Sequence, residues 1–219
     1  MLNARLSMVL SLVDPCVTLC DIGSDHAYLP LEGLKSGRIK KAQIIEINPK
    51  PLAIARAHLQ KEQYEDVCSF FLSDGLKSVN ESVDNAVICG VGYDTMIHII
   101  QHDLDRFKTM NQFILQSNSK VPLLRIQMEK WGFELLDEGF SVDRNHAYIA
   151  LKYRYSGLKP SLKSMDLYCG PFLMKQNSTV YQEHCRLRLH HCESTARLRL
   201  KYDEEINALR DYLKIKETV

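Results

Sequence analysis

The stretch "VTLCDIGSDHAYLP" (residues 17–30) decides the fold. A short apolar run ends in Asp21, and Gly23, Ser24, Asp25 and His26 follow at once. Such a run, closed by a glycine-bearing polar turn, reads as a buried strand opening into a ligand loop. Working outward, "AQIIEIN" reads as a second strand ending near Glu46. "PLAIARAHLQKE" is helical, with Leu52, Ile54, Ala55 and Leu59 on one broad face and Pro51 in the first turn. "VCSFFLSDG" is a third strand closing at Asp74 and Gly75, and "NAVICGVG" a fourth. "TMIHIIQHDLDRF" reads as one helix, with Met96, Ile99, Ile100 and Leu104 at helical spacing. "QFILQSN" is a fifth strand, and "PLLRIQMEKWG" a helix stopped by Gly132. "FELLDEGFSVD" and "HAYIALKYR" form a closing strand pair. Strand–helix alternation implies an α/β fold with a mostly parallel sheet covered on both faces. The closing pair leaves no room for a crossover helix, so one of its strands must run antiparallel.

Composition bounds the function. The 219 residues are 45% hydrophobic and 25% charged, as in a soluble globular protein, and no apolar run is long enough to span a membrane. "MLNARLSMVLSLVDP" reads as an amphipathic helix rather than a signal peptide. Seven scattered cysteines without C-x-x-C fit a reduced, cytoplasmic chain. Cys16 and Cys20 begin a C-x-x-x-C, but Gly23 stands where an iron–sulfur triad needs its third thiol. Buried thiols are therefore expected, and no metal.

In such sheets ligands bind at the carboxyl ends of the strands, where the strand order reverses. The polar residues fall there: Asp21 and Gly23, Glu46, Asp74, then Gly90 and Gly92. Glu46 suits the two hydroxyls of a ribose, and Asp74 an adenine amino group. A phosphate loop would need G-x-G-x-x-G, but the positions read Gly23, Asp25 and Tyr28. Carboxylates beside the loop repel a pyrophosphate and attract a sulfonium and an ammonium. The pattern points to S-adenosylmethionine and sets aside a dinucleotide oxidoreductase. The cofactor-binding candidates are Asp21, Gly23, Ser24, Asp25, His26, Glu46, Ile47, Asp74, Gly75, Cys89 and Gly90.

These residues carry a family resemblance. "DIGSDHAYLP" closely resembles the first motif of the bacterial TrmK family, and the likeness continues through "IIEINPKPLAIARAHL", "SDGL" and "DRNHAYIAL". "YCGPFLMKQNSTVYQEH" (168–184) resembles that family's join between catalytic domain and helical tail. The resemblance implies a Rossmann-like class I methyltransferase that transfers the methyl group of S-adenosylmethionine to N1 of adenine 22 in tRNA. It implies a catalytic domain over residues 1–157 and a helical, coiled-coil-like extension over 158–219. A monomer is expected. Two departures lie at the mouth of the acceptor pocket. The family's Ala-Gly-Met-Gly-Gly appears as "CGVGYD", putting Tyr93 where a glycine is usual, and its Gln-Pro-Asn appears as Gln116, Ser117 and Asn118. They leave open an RNA-binding protein that has lost turnover.

Asp25, His26, Gly92, Tyr93 and Asn118 are the catalytic candidates. Asp25 would orient the adenine through its amino group or hold the cofactor's ammonium. His26 either touches a ligand or packs in the turn and fixes Asp25. N1 is hidden in a duplex, so the base must leave its stack. Tyr93 then stacks on it, fills space, or blocks the pocket.

The tail is expected to form amphipathic helices, with Cys185, Leu189, Cys192, Ala196, Tyr202, Ile206, Leu209 and Leu213 as the apolar stripe and a bend near Ser194 and Thr195. Arg186, Arg188, Arg197, Arg199 and Lys201 face only Glu193 in sequence. They are candidates for tRNA phosphates, although charge alone favours a solvated face.

Overall fold

The computed structural model describes residues 2–79, 81–158, 161–196 and 202–217. Asn3 opens the first helix, α1 (Ala4–Leu12), its side-chain oxygen accepting from the Leu6 amide at 2.9 Å. There follow β1 (Cys16–Ile22), α2 (Tyr28–Lys35), β2 (Ile39–Glu46), α3 (Pro49–Lys61), β3 (Cys68–Leu72), β4 (Asn85–Val91), α4 (Tyr93–His102) and α5 (Leu104–Thr109). Then come β5 (Gln112–Ser117), α6 (Val121–Lys130), β6 (Phe133–Asp143) and β7 (His146–Tyr155). Four helices form the tail: α7 (Ser164–Cys169), α8 (Pro171–Lys175), α9 (Thr179–Ala196) and α10 (Asp203–Glu217).

The seven strands lie in one sheet in the order β3-β2-β1-β4-β5-β7-β6. β1 pairs parallel with both β2 and β4, and β7 is antiparallel to both β5 and β6. This is the expected mostly parallel sheet. Apolar clusters cover both faces, one around Met96, Ile100, Phe107 and Phe113, the other around Val9, Leu19, Leu34 and Leu59. β5, central between them, is buried along its whole length.

Three expectations are corrected. "TMIHIIQHDLDRF" is two helices, because Asp103 breaks from helical geometry and its carboxylate turns back to the Leu76 amide (2.8 Å). A short acid that bonds a backbone amide elsewhere competes with the helix. Ile54 is exposed on α3, whereas Ala55 and Leu59 face the sheet. The tail does not bend at Ser194 and Thr195. α9 runs on to Ala196, and the Ser194 hydroxyl is satisfied within it by the His191 carbonyl (2.9 Å).

The tail is tied to the sheet through one buried ion pair. A bulge at Leu135/Asp137 puts an extra residue into β6 and turns Glu138 inward. There Glu138 Oε1 accepts from Arg125 Nε (2.8 Å) and Nη2 (2.6 Å), and Oε2 from the Phe172 amide (3.0 Å). Arg125 Nη1 donates to the Leu167 carbonyl, and Gln176 to the Glu138 carbonyl (2.7 Å). Both charged side chains are fully buried. Beyond this bolt Cys169, Leu173, Tyr181, Cys185, Leu209 and Leu213 form a separate small core. Removing one member of a buried pair strands the other. Arg125→Met is therefore expected to lower stability by about 3–5 kcal/mol. Glu138→Gln should cost a comparable amount, because its one amide oxygen can serve either Arg125 or the Phe172 amide and the guanidinium is left uncompensated. Chemical denaturation measures both; a loss below about 1 kcal/mol in Arg125→Met would show that the pair does not anchor the tail.

Candidate active site

The site lies at the carboxyl ends of β1 and β4, where the strand order reverses. The amides of Gly23 (2.8 Å) and Ser24 (3.3 Å) both donate to the Ile45 carbonyl, folding the loop after β1 across the end of β2. Gly23, Asp25 and Ala27 have φ of +79°, +43° and +55°. Left-handed backbone at two non-glycine residues is strain that the surroundings must hold. The Ala27 amide bonds to the Ser24 carbonyl (2.8 Å), and His58 Nδ1 lies 2.7 Å from the His26 carbonyl.

The loop walls a cleft of about 240 Å³. Asp21, Gly23, Ser24, Asp25, His26 and Cys89 line it together with Arg5 and Leu6 of α1. Asp21 is buried and accepts from the Ser24 hydroxyl (2.5 Å). Asp25 is exposed, 3.5 Å from His26 Nε2. Cys89 is a shape element, since burial pushes its thiol up to about 12. All seven cysteines are free, and among the described residues no cluster of His, Cys, Asp or Glu could hold a metal ion.

Glu46, Asp74 and Gly75 stand at the neighbouring strand ends, outside that cleft. Glu46 Oε1 accepts from the Asn48 amide (3.0 Å); among the described residues its Oε2 has no hydrogen bond. Ile47 beside it is exposed. Asp74 Oδ2 accepts from Lys77 Nζ at 2.6 Å, and this hydrogen bond keeps its carboxyl below the usual range. Asp103 braces this turn behind Gly75, its carboxylate bonded to the Leu76 amide.

On the acceptor side, Asn118 clamps the end of β4. Its Nδ2 donates to the Gly90 carbonyl (2.7 Å), its backbone amide to the Val91 carbonyl (2.9 Å), and its Oδ1 accepts from Gln116 Nε2 (3.1 Å). Gly92 caps α4, and Tyr93 is its first residue. The Tyr93 ring packs partly on the core, with Lys120 Nζ 5.3 Å from its centroid.

Two findings lay beyond sequence reasoning. Arg5 enters the cleft from α1, where the only signal was a lone cation in an apolar stretch. Gln116, fully buried, links Arg5 to Asn118. The basic tail residues read differently in three dimensions. Arg188 is not free but forms a two-point pair with Glu205 (2.6 and 3.0 Å), Arg186 faces Glu183 (3.4 Å), and Glu193 pairs with Arg210 (2.6 Å). Long side chains meet partners across the α9–α10 packing that sequence neighbours do not reveal. Arg197, Arg199 and Lys201 lie outside the described residues.

A mostly parallel sheet with this switch point, acids at its rim and no phosphate loop is that of a Rossmann-like methyltransferase. A family model described as TrmK: tRNA (adenine(22)-N(1))-methyltransferase matches residues 19–218, and the chain belongs to that family. It is 27% identical over 201 residues to the tRNA (adenine(22)-N(1))-methyltransferase of Bacillus subtilis (strain 168), covering 88% of this chain and 83% of that one. The structure of Streptococcus pneumoniae Sp1610 in complex with S-adenosyl-L-methionine is similar with a TM-score of 0.88 and 28% identity, covering 97% of this chain and 100% of that one. M. capricolum TrmK, in complex with S-adenosyl-homocysteine, is similar with a TM-score of 0.82 and 26% identity, covering 98% and 99%.

Burial pushes the Asp21 carboxyl up to about 6, against the pull of the Ser24 hydrogen bond and with the charge of Glu46 adding to the rise. Asp21 is thus neutral below about pH 6 and ionised above. Because its folded value exceeds the unfolded one, it stabilises the ligand-free protein below about pH 4, and that contribution is lost as pH rises through about 6. A cation in the cleft prefers the ionised form. Affinity for S-adenosylmethionine should therefore climb as pH rises from 5 to 7, by at most about tenfold per unit. Calorimetric titrations across this range check it: Asp21→Asn should flatten the profile, and a flat wild-type profile would remove Asp21 from the cofactor's field.

Proposed function

We propose that Asp21, Ser24 and Asp25 hold the cationic part of S-adenosylmethionine, that Glu46 takes its ribose, and that the loop after β4 receives the target base. The chain is a methyltransferase of the TrmK family, which acts on N1 of adenine 22 in tRNA. One observation carries the residue assignment: the ends of β1, β2 and β3 lie side by side next to the switch point between β1 and β4, and they offer carboxylates, that of Glu46 with an unspent oxygen, rather than a phosphate cradle. That donor set fits an adenosine bearing a sulfonium.

When bound, the cofactor supplies an activated methyl group on sulfur. Adenine N1 carries an in-plane lone pair, so no residue has to remove a proton before attack. The task of the chain is alignment and exclusion of water. Asn118 fixes the carbonyls at the end of β4, and Asp25 orients the adenine amino group or the cofactor's ammonium, with His26 beside it. The product ring is cationic, and carboxylates at the rim stabilise the charge as it grows. Gly92 leaves the loop open before α4: a Cβ there would meet only the Ser119 hydroxyl, at 3.9 Å.

The same reading includes a cytoplasmic monomer, supported by the free thiols in the first respect and checked by light scattering in the second. It also includes a tail that contacts tRNA. Arg186, exposed and weakly paired, is the described residue best placed for a phosphate, and Arg188 contributes less because Glu205 holds it.

Labelled cofactor, bulk tRNA and mapping of the methylated base test the reading; label at any base other than adenine 22 would refute the acceptor assignment. Glu46→Ala should weaken S-adenosylmethionine binding by roughly ten- to a hundredfold, the worth of hydrogen bonds to a charged group. Unchanged calorimetric affinity would move the ribose elsewhere.

Tyr93 is tested by order of rates. If its ring holds the adenine, Tyr93→Phe keeps nearly full single-turnover methylation, while Tyr93→Ala and Tyr93→Gly lose about one to two orders of magnitude. A glycine variant faster than wild type would mean that the ring closes the pocket. Near-equal rates would mean that it only fills space.

A further inference from the structure

Methyl transfer to N1 leaves a release problem. Attack by the N1 lone pair forms an N–C bond while the C–S bond breaks with its electron pair left on sulfur, so the positive charge passes to the adenine ring. A cationic ring binds an aromatic face and a carboxylate more tightly than the neutral base did. We propose that Lys120 sets product release: its ammonium shares the Tyr93 ring and the Asp94 carboxylate with the base, and drives the base off once it is charged. The inference rests on the reading in which the Tyr93 ring holds the adenine, and deepens it.

The ammonium already occupies the partners that a cationic adenine would seek. Lys120 Nζ lies 5.3 Å from the centroid of the Tyr93 ring and 2.9 and 3.2 Å from the two oxygens of Asp94. The ring packs partly on the core, whereas the Lys120 side chain is half exposed. The ammonium therefore stands over the open side of the ring, where a base would stack. Displaced from there but still tethered beside it, the charge leaves a neutral base alone and repels a cationic one. It also keeps offsetting the pull of Asp94 on the product.

The base of this side chain is fixed and its tip is not. Lys120 caps α6 at φ +53°, left-handed backbone that glycine adopts at less cost. The turn that carries it is pinned. The Tyr93 amide donates to Ser119 Oγ (3.3 Å), the Ser117 hydroxyl to the Ser119 carbonyl (2.8 Å), and the Leu124 amide to the Lys120 carbonyl (3.1 Å). A long cation kept at a strained position points to a use for its side chain. The tip, by contrast, faces an exposed carboxylate, and an ion pair open to water exchanges readily. A neutral base can thus take the ring at small cost, and the ammonium returns when that base has gained its charge.

The test weighs two tRNAs that differ by one methyl group, one with adenine 22 and one with 1-methyladenine in its place. Affinities of wild type, Lys120→Met, Lys120→Arg and the double variant Lys120→Met/Tyr93→Ala are measured by fluorescence anisotropy at neutral pH, folding being checked by thermal melt. Met and Arg meet the same backbone strain as lysine, so the comparison isolates the charge. Relative to wild type, Lys120→Met should shift the ratio of affinities toward methylated tRNA by roughly three- to thirtyfold, the worth of a cation–π contact. Its steady-state turnover should fall below its single-turnover rate, with a burst. Lys120→Arg should keep the wild-type ratio within about twofold, since a guanidinium also sits on an aromatic face. Equal weakening of both tRNAs in Lys120→Met would overturn the proposal and assign Lys120 to a phosphate. Unchanged affinities would also overturn it and leave only a surface ion pair. The double variant should lose the preference again. A preference that survives loss of the ring would instead remove the acceptor placement at Tyr93 on which the proposal rests.

Discussion

The Ile45 carbonyl accepts from two amides, those of Gly23 and Ser24, and the shape of the cleft follows from that shared acceptor. It commits the chain to cross from the end of β1 over the end of β2 before α2 begins. The loop makes this passage with left-handed residues at Gly23, Asp25 and Ala27. Strain of this kind persists where neighbours over-determine it, and His58 on α3 supplies one such neighbour by bonding the His26 carbonyl. The loop is therefore preorganised, and its acids do not need ligand to bring them together.

A second brace works from the other half of the sheet. Gln116 at the end of β5 reaches Arg5 with its oxygen and Asn118 with its nitrogen, and Asn118 in turn holds the Gly90 carbonyl. One buried amide thus joins α1, β4 and β5 around the acceptor side. The three elements are far apart in sequence, and the amide ties them through one set of hydrogen bonds. Tyr93 and Ser117, which replace the residues usual in the family resemblance, meet beside this brace at Ser119: the Tyr93 amide donates to its hydroxyl (3.3 Å) and the Ser117 hydroxyl to its carbonyl (2.8 Å).

The tail is fastened by chemistry of a different sort. Arg125 and Glu138 are fully buried, and their spare donors and acceptors are spent on α7 and α8, so the extension is docked by fixed hydrogen bonds as well as by its own small core. Among the described residues, Arg188 is matched with Glu205 and Arg210 with Glu193 across α9 and α10, so these two guanidiniums are not free for a phosphate backbone.

Much of the fold was legible because local patterns report local facts. The apolar runs ending at Asp21, Glu46, Asp74 and Gly90 gave the strands, and their alternation with helices implied parallel pairing with ligand at the carboxyl ends. The missing crossover implied the antiparallel β7. What remained hidden depends on partners distant in sequence. Asp103 breaks a helix to reach Leu76, and Glu138 turns inward at a bulge to meet Arg125. Lys77 takes up Asp74, and Glu205 takes up Arg188. Arg5 enters the cleft because its side chain reaches from α1 to Cys89 on β4 and Gln116 on β5. Periodicity shows which face of an element is apolar, so the sequence by itself determined the layers and the rim. Which polar atoms meet across those layers depends on hydrogen-bond geometry fixed to fractions of an ångström. Only the packed chain decided that, because residues as far apart as Arg5 and Gln116 come within bonding distance only once the sheet has assembled.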